Sequence, residues 1–298
     1  YHYNDTTLKG FSHTHLSGTG CIDLGDILFR PTTLKPDLTT ESIYQPAAFS
    51  HKDEDASAGY YSVVLKEEGI KAELTVTAHA GMHRYTFPSG KEASIIIDLT
   101  HLLDNEYIYE AELEQTAANE ITGMRRTRGW TDNQYVYFVA QFSKPFQAID
   151  FIQNKKMVSA GVKLNGTDLQ ACLSFDNSNG EPVIAKVGLS IVSEKNAREN
   201  LETEVIGFDF DAVRSAARSA WEQALSAITV KGGNTDDLKN FYTAMYHSMV
   251  VPNVVSDVNG EYRRHNMEIG QLPKGKVQYS TFSLWDTFRA WNPLMTLI

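Results

Sequence analysis

The sequence predicts a mainly β protein, a large antiparallel β-sandwich followed by helices. Three observations predict it. From about Ser62 to Ser193, apolar and polar residues alternate in short runs bounded by turn residues, with no helical pattern between them. After Gly207 the spacing of apolar residues becomes helical. The 298 residues are 42% hydrophobic and 11% aromatic, enough apolar surface for a sizeable core in one large or two moderate domains. Many strands without intervening helices mean an antiparallel sandwich and not a βαβ fold.

The clearest run is Ile70, Ala72, Leu74, Val76, Ala78 and Ala80, alternating with Lys71, Glu73, Thr75, Thr77 and His79, so that one face meets core and the other water. Further strands are expected at 94–99, 107–114, 134–142, 158–164, 170–175 and 183–192, with Asn165-Gly166 as a tight hairpin turn. Asp209 suits an N-cap. Val213, Ala217, Ala220, Trp221, Ala224, Leu225 and Ile228 then recur at helical spacing until Lys231-Gly232-Gly233. A second helix, capped by Thr235, carries Asp236 and Asp237 in its first turn and places Leu238, Phe241, Tyr242, Met245 and Met249 on one face. Asn259-Gly260 marks another hairpin.

Charge narrows the partners. With 27 Lys+Arg against 37 Asp+Glu the chain carries −10, and its longest basic cluster, Arg125, Arg126 and Arg128, is too small to bind a phosphate backbone. No nucleic acid is expected. No apolar run approaches the roughly 18 to 20 residues that cross a bilayer, so no membrane span is expected. Cys21 and Cys172 match no CxxC pattern and read as buried thiols. Phe282 to Ile298 is dense in apolar groups (Trp285, Phe288, Trp291, Leu294, Met295, Leu297, Ile298) and is unlike a frayed terminus, so the chain reads as the front part of a longer protein.

Two stretches can carry chemistry. The run from Phe11 to Cys21 packs His13 and His15 with Ser12, Thr14, Ser17, Gly18, Thr19 and Gly20, a loop suited to bringing imidazoles and backbone amides to a polar ligand. A metal there lacks an evident third ligand, although Asp23 and Asp26 follow. A purely structural glycine loop stays open. In the terminal segment, Trp285 offers a face to the C–H side of a sugar ring while Asp286 and Arg289 grip hydroxyls. On a helix the same Asp286 and Arg289 also suit a surface ion pair. Asp53, Glu54 and Asp55 read as a solvated loop, and Asp257, Asn259, Gly260 and Glu261 as a turn rather than a calcium loop. No GxSxG, Walker A, HExxH or dinucleotide motif occurs.

Two long motifs then carry a resemblance. GFSHTHLSGTGC at Gly10 to Cys21, followed by Asp23-Leu24-Gly25-Asp26, and YSTFSLWDTFRAWNPL at Tyr279 to Leu294 resemble the family 92 glycoside hydrolases, with 207–230 similar to the family's inter-domain helix. The resemblance implies an N-terminal β-sandwich over 1–206, a linker helix over 207–233, and over 234–298 the first part of an (α/α)6 barrel. Twelve barrel helices of roughly 11 residues plus loops need more chain than follows Gly233. It implies a calcium-dependent, inverting exo-α-mannosidase, often α-1,2-specific, acting on mannose-containing glycans from a secreted or periplasmic bacterial location, free or surface-anchored. Inversion requires two carboxyls roughly 6.5 to 9.5 Å apart. The resemblance puts the acid, the base and the main calcium ligands beyond Ile298, so no catalytic or metal residue is assigned here and the fragment alone is expected to be inactive. It carries substrate contact to Asp286, with Trp285 and Arg289 beside it, and to the loop of His13 and His15, with His15 preferred. A non-catalytic carbohydrate-binding sandwich is the alternative.

Overall fold

The structure, a computed structural model, describes residues 2–16, 22–103, 107–158, 161, 163–280 and 283–298. Alternating strands do form two stacked antiparallel sheets. Among the described residues the larger has nine strands, in the order Leu164–Gly166, Tyr107–Ala117, Glu120–Arg128, Gln134–Phe142, Val183–Ser190, Ala80–Thr86, Ile70–Val76, Tyr60–Leu65 and Glu54–Ser57. The smaller has five: Lys156–Val158, Ala148–Gln153, Leu169–Phe175, Ala93–Asp98 and Leu28–Thr32. The inner faces bury Phe29, Leu65, Ile95, Ile97, Leu113, Phe138, Phe142, Phe151 and Leu173 between them.

Three helices follow: α1 (Glu194–Glu204), α2 (Phe210–Leu225) and α3 (Thr235–Ser248). Ser193 caps α1 by accepting from Asn196 N, and Asp209 caps α2 by accepting from Ala212 N, as its position predicts. α1 has no counterpart in the sequence reading, because only Ala197 and Leu201 supply its buried apolar side chains, with Asn196 and Asn200 beside them. α1 and the start of α2 cover the outer face of the nine-stranded sheet, where Ala197, Leu201, Val205 and Phe210 pack on Tyr60, Ala80, Met82 and Val139. Gly188 makes this approach possible. A Cβ there would meet the Ala197 carbonyl oxygen and Leu201 Cβ at well under contact distance.

Several expectations need correcting. The run from Ile70 to Ala80 is two strands that turn back at 77–79, where Thr77 N donates to Ala80 O at 2.8 Å. The turn residues preserve the alternation, so periodicity does not reveal the fold-back. The face expected to meet water is partly covered: Glu73 and Thr75 are buried, while Val76 is exposed. Glu73 accepts from Arg84 at 2.8 Å and from Tyr60 Oη at 2.9 Å, with Arg84 also bonded to Asp211 of α2. Burial alone would raise its pKa, but these donors hold it at about 2.

Asn165-Gly166 does not join two paired strands. Its strand belongs to the large sheet and Leu169–Phe175 to the small one, so the chain crosses between layers there. The expected strand over 158–164 falls partly on residues outside those described; Val158 ends one short strand and Leu164 begins another. Asn259-Gly260 is a turn before a hairpin whose strands are Glu261–Arg263 and Ile269–Gln271. Thr235 is the first residue of α3, and Asn234 is its cap, in a reciprocal capping box with Asp237. Glu54 and Asp55 lie on an edge strand instead of a loop. Arg125 is no surface cation. Along Glu120–Arg128 it shares the inward face with Ile121 and is fully buried. Cys172 is buried, which pushes its thiol up to about 12, while Cys21 lies outside the described residues.

Candidate functional site

Residues 13–14 and 25–26 lie side by side. His13 N donates to Asp26 O, Gly25 N donates to Thr14 O, and Thr14 Oγ1 accepts from Asp26 N at 2.8 Å while donating to Asp26 Oδ2 at 2.8 Å. Asp26 also accepts from Gln134 Nε2 at 2.9 Å and faces Arg125 Nε at 3.2 Å, a buried ion pair that ties the loop to the sandwich interior. Leu24 and Ile27 hold left-handed backbone angles (φ 72° and 55°), which side chains of these types adopt only when surroundings impose them. Such imposed geometry is frequent where a loop must present a group in one place. Asp23, buried beside the loop, has one carboxylate oxygen within 3.3 Å of Trp130 N, and Trp130 itself is exposed.

His13 turns inward. Its Nδ1 meets Ile27 O at 2.6 Å, its Nε2 meets His83 Nε2 at 2.9 Å, and its ring edges against Phe29. Both ring nitrogens are engaged within the protein. Burial, outweighing the Ile27 carbonyl, lowers its pKa to about 4, so the ring is neutral near pH 7. His15, two residues on, points elsewhere: it is exposed, and its Nε2 lies 3.2 Å from Ser12 Oγ. Partial desolvation lowers its pKa as well. The two imidazoles therefore do not converge on a common ligand. Ser17, Gly18, Thr19, Gly20 and Cys21 lie outside the described residues.

The terminal motif forms two short helices, α4 (Leu284–Thr287) and α5 (Trp291–Met295). Trp285 is 76% exposed, and Asp286 and Arg289 are exposed beside it. The helix stops at Thr287, so Asp286 and Arg289 are not held as an i, i+3 pair, and Arg289 instead lies over the Phe288 ring at 4.9 Å. Trp291 Nε1 donates to Ser248 O at 2.5 Å and fastens the motif to the end of α3. An exposed indole flanked by a free carboxylate and a guanidinium suits a neutral polyol. Among the described residues no three His, Cys, Asp or Glu groups converge as metal ligands.

The sequence reading did not find the bracing of this site. Asp257, whose sequence context reads as a turn, is a buried hub: it accepts from Ser190 Oγ, Asn196 Nδ2 and Asn200 Nδ2, each at 2.7 Å. Asn196 also donates to Glu261, and Arg263 donates to the carbonyls of Ile191 and Val192. The hairpin is thus locked onto α1. The sparse apolar pattern of α1, with asparagines at 196 and 200 one turn apart, was the available signal.

Comparison with known proteins places these features in a family. The Glycosyl hydrolase family 92 N-terminal domain matches residues 1–190, and the Glycosyl hydrolase family 92 catalytic domain matches residues 196–298. The family GH92 alpha-mannosidase BT3965 from Bacteroides thetaiotaomicron superposes with a TM-score of 0.92 at 37% identity, over 99% of this chain and 41% of that one. The GH92 family glycosyl hydrolase ccman5 gives 0.86 at 27% identity, over 97% and 40%. An uncharacterized secreted glycosidase of Arthroderma benhamiae is 30% identical over 97% of this chain and 40% of its own length. The chain thus spans about 40% of the length of these relatives. Matched by both domain descriptions over nearly its whole length, the chain belongs to glycosyl hydrolase family 92.

Proposed function

We propose that this chain is the N-terminal region of a calcium-dependent, inverting exo-α-mannosidase, α-1,2-selective, that removes terminal mannose from glycans. The observation that carries the reading is the 37% identity to an α-mannosidase over 99% of the chain. In this reading residues 1–206 are the sandwich, 207–233 the linker and 234–298 the start of the barrel. Trp285 stacks on the C–H face of the terminal mannose, Asp286 accepts hydrogen bonds from its hydroxyls and Arg289 donates to them. His15 reaches the same sugar from the sandwich loop, while His13 holds that loop from below.

The described residues do not fit a calcium site on their own, since no three acidic or imidazole groups meet. In this reading the acid and the base lie beyond Ile298. The similarity to a secreted glycosidase of Arthroderma benhamiae supports a secreted or periplasmic location. Among the described residues no helix is long and apolar enough to cross a membrane.

The test is an assay of the complete protein on a panel of mannobioses, with and without a chelator, following the anomer of released mannose by NMR. Calcium-stimulated release of β-mannose, fastest from the α-1,2 isomer, is expected. Binding of the mannobioses without release would favour a non-catalytic binding protein, and robust release by residues 1–298 alone would overturn the placement of the acid and base.

A further inference from the structure

His79 occupies the turn between two strands of the large sheet, yet its ring ties together three separate segments. Glu204, the last residue of α1, accepts from Thr77 Oγ1 at 2.5 Å, from His79 N at 2.9 Å and from His79 Nδ1 at 2.5 Å. The other ring nitrogen, Nε2, meets Ser256 O at 2.7 Å. A carbonyl oxygen can only accept, so Nε2 carries a hydrogen. A carboxylate already facing two other donors accepts as well, so Nδ1 also carries one. With Glu204 ionised, these contacts suit an imidazolium, in contrast to the neutral His13.

Ser256 lies in a stretch that supports the terminal motif. Val255 N donates to Gln278 O at 2.9 Å, Gln278 N donates to Ser256 Oγ at 3.0 Å, and Ser280 N donates to Asn253 O at 2.8 Å. Val254 bridges Tyr279. The segment 253–256 therefore pairs with 278–280, just before the helix that carries Trp285 and Asp286. Asp257, next to Ser256, is the hub already described.

We propose that His79 is a positioning residue of the sugar site: its charged ring, clamped by Glu204, holds segment 253–256 and through it segment 278–280, so that a sandwich side chain sets the placement of Trp285 and Asp286. The inference rests on the proposed function for its activity readout only. The charged groups facing His79 are Glu204 from α1 and Asp257, which follows the clamped segment, both acidic. Burial opposes the charge, but the bond and charge of Glu204, the Ser256 carbonyl and Asp257 outweigh it, and the pKa lies above the usual 6.5. The clamp is therefore fully present below the usual value and is released as pH rises through the raised one.

The experiment has two arms on the complete protein, using His79→Gln and Glu204→Gln, with thermal unfolding to confirm that each variant folds. In hydrogen exchange corrected for intrinsic rates, peptides covering 253–256 and 278–280 should lose protection by roughly tenfold as pH rises through the His79 transition. In His79→Gln they should be poorly protected at every pH, and in Glu204→Gln the transition should move to lower pH. Equal protection in wild type and His79→Gln, or a transition that Glu204→Gln leaves in place, would overturn the proposal. In the second arm, the alkaline limb of kcat/KM for mannoside hydrolysis should follow the same transition and vanish in His79→Gln; an unchanged limb overturns the link to Trp285 and Asp286. Absence of mannosidase activity in the wild type would count against the proposed function and leave the exchange arm decisive for the clamp.

Discussion

His13 and His83 face each other through their Nε2 atoms at 2.9 Å, and only one arrangement of protons satisfies both rings. His13 Nδ1 must donate to the Ile27 carbonyl, which leaves its Nε2 as an acceptor. His83 then donates from Nε2, and its Nδ1 accepts from Tyr85 Oη at 2.7 Å. A proton added at His13 Nε2 would set two N–H groups against each other. Burial keeps both rings neutral, lowering His13 to about 4 and His83 well below its usual value.

Stability should therefore fall in acid. A histidine whose folded pKa is depressed contributes above its unfolded value, about 6.5, and that contribution is lost as pH falls toward the folded value. The melting temperature is expected to drop between these limits, with a shallower slope in His83→Phe. That variant also strands Tyr85 Oη and His13 Nε2 and should cost about 2 kcal/mol near neutral pH. An acid slope identical to wild type would show that the pair does not titrate with unfolding.

Replacing Gly188 with alanine drives a methyl group into α1, against the Ala197 carbonyl and Leu201. A loss of about 2 kcal/mol is expected from overpacking, with raised hydrogen exchange concentrated in 194–204. Calorimetry that shows no change would mean that α1 shifts freely.

Asp257→Ala leaves three buried donors, on Ser190, Asn196 and Asn200, without an acceptor. Urea unfolding should show a loss of about 3 kcal/mol or more. Wild-type stability would place the hairpin's anchorage in Glu261 and Arg263 instead.

Asp286→Ala should behave in the opposite way. The side chain is exposed, so unfolding should be unaffected, whereas kcat/KM of the complete protein on mannosides should fall at least tenfold, about 1.4 kcal/mol of transition-state binding under the proposed function. Unaltered kinetics would remove Asp286 from the sugar site.

Chelation separates the two parts of the protein. Mannose release by the complete protein should be suppressed by a chelator and restored by calcium, while the melting temperature of residues 1–298 should not move, since no ligand set lies among its described residues. A chelator-induced drop in that melting temperature would place calcium ligands within this chain.

Periodicity makes faces legible, and it fails where a face changes partner. The alternation of 70–76 correctly puts Ile70 and Ala72 toward the other sheet, but nothing in it shows that Glu73 and Thr75 lie beneath a helix distant in sequence. Arg125 was readable in principle, sharing an inward face with Ile121, yet the adjacent Arg126 and Arg128 made a surface cluster the simpler reading. Asn165-Gly166 has the composition of a hairpin turn and serves as a crossing between sheets, because turn chemistry specifies a change of direction without specifying the destination. At the candidate site, residue types point to Trp285 and Asp286, whose exposure the structure describes. The clamps behind them, His79 with Glu204 and Asp257 with Asn196, join residues far apart along the chain and leave no local trace.

The covering of the large sheet by α1 and α2 bears on how this protein can be divided in the laboratory. A cut after Ser193 would bare Met82 and Val139, and would remove Val205, whose carbonyl receives the Lys186 ammonium. The excised piece would present a greasy flank with an unaccompanied cation, a recipe for clumping. A recombinant sandwich should instead extend through Leu225, keeping both coverings in place.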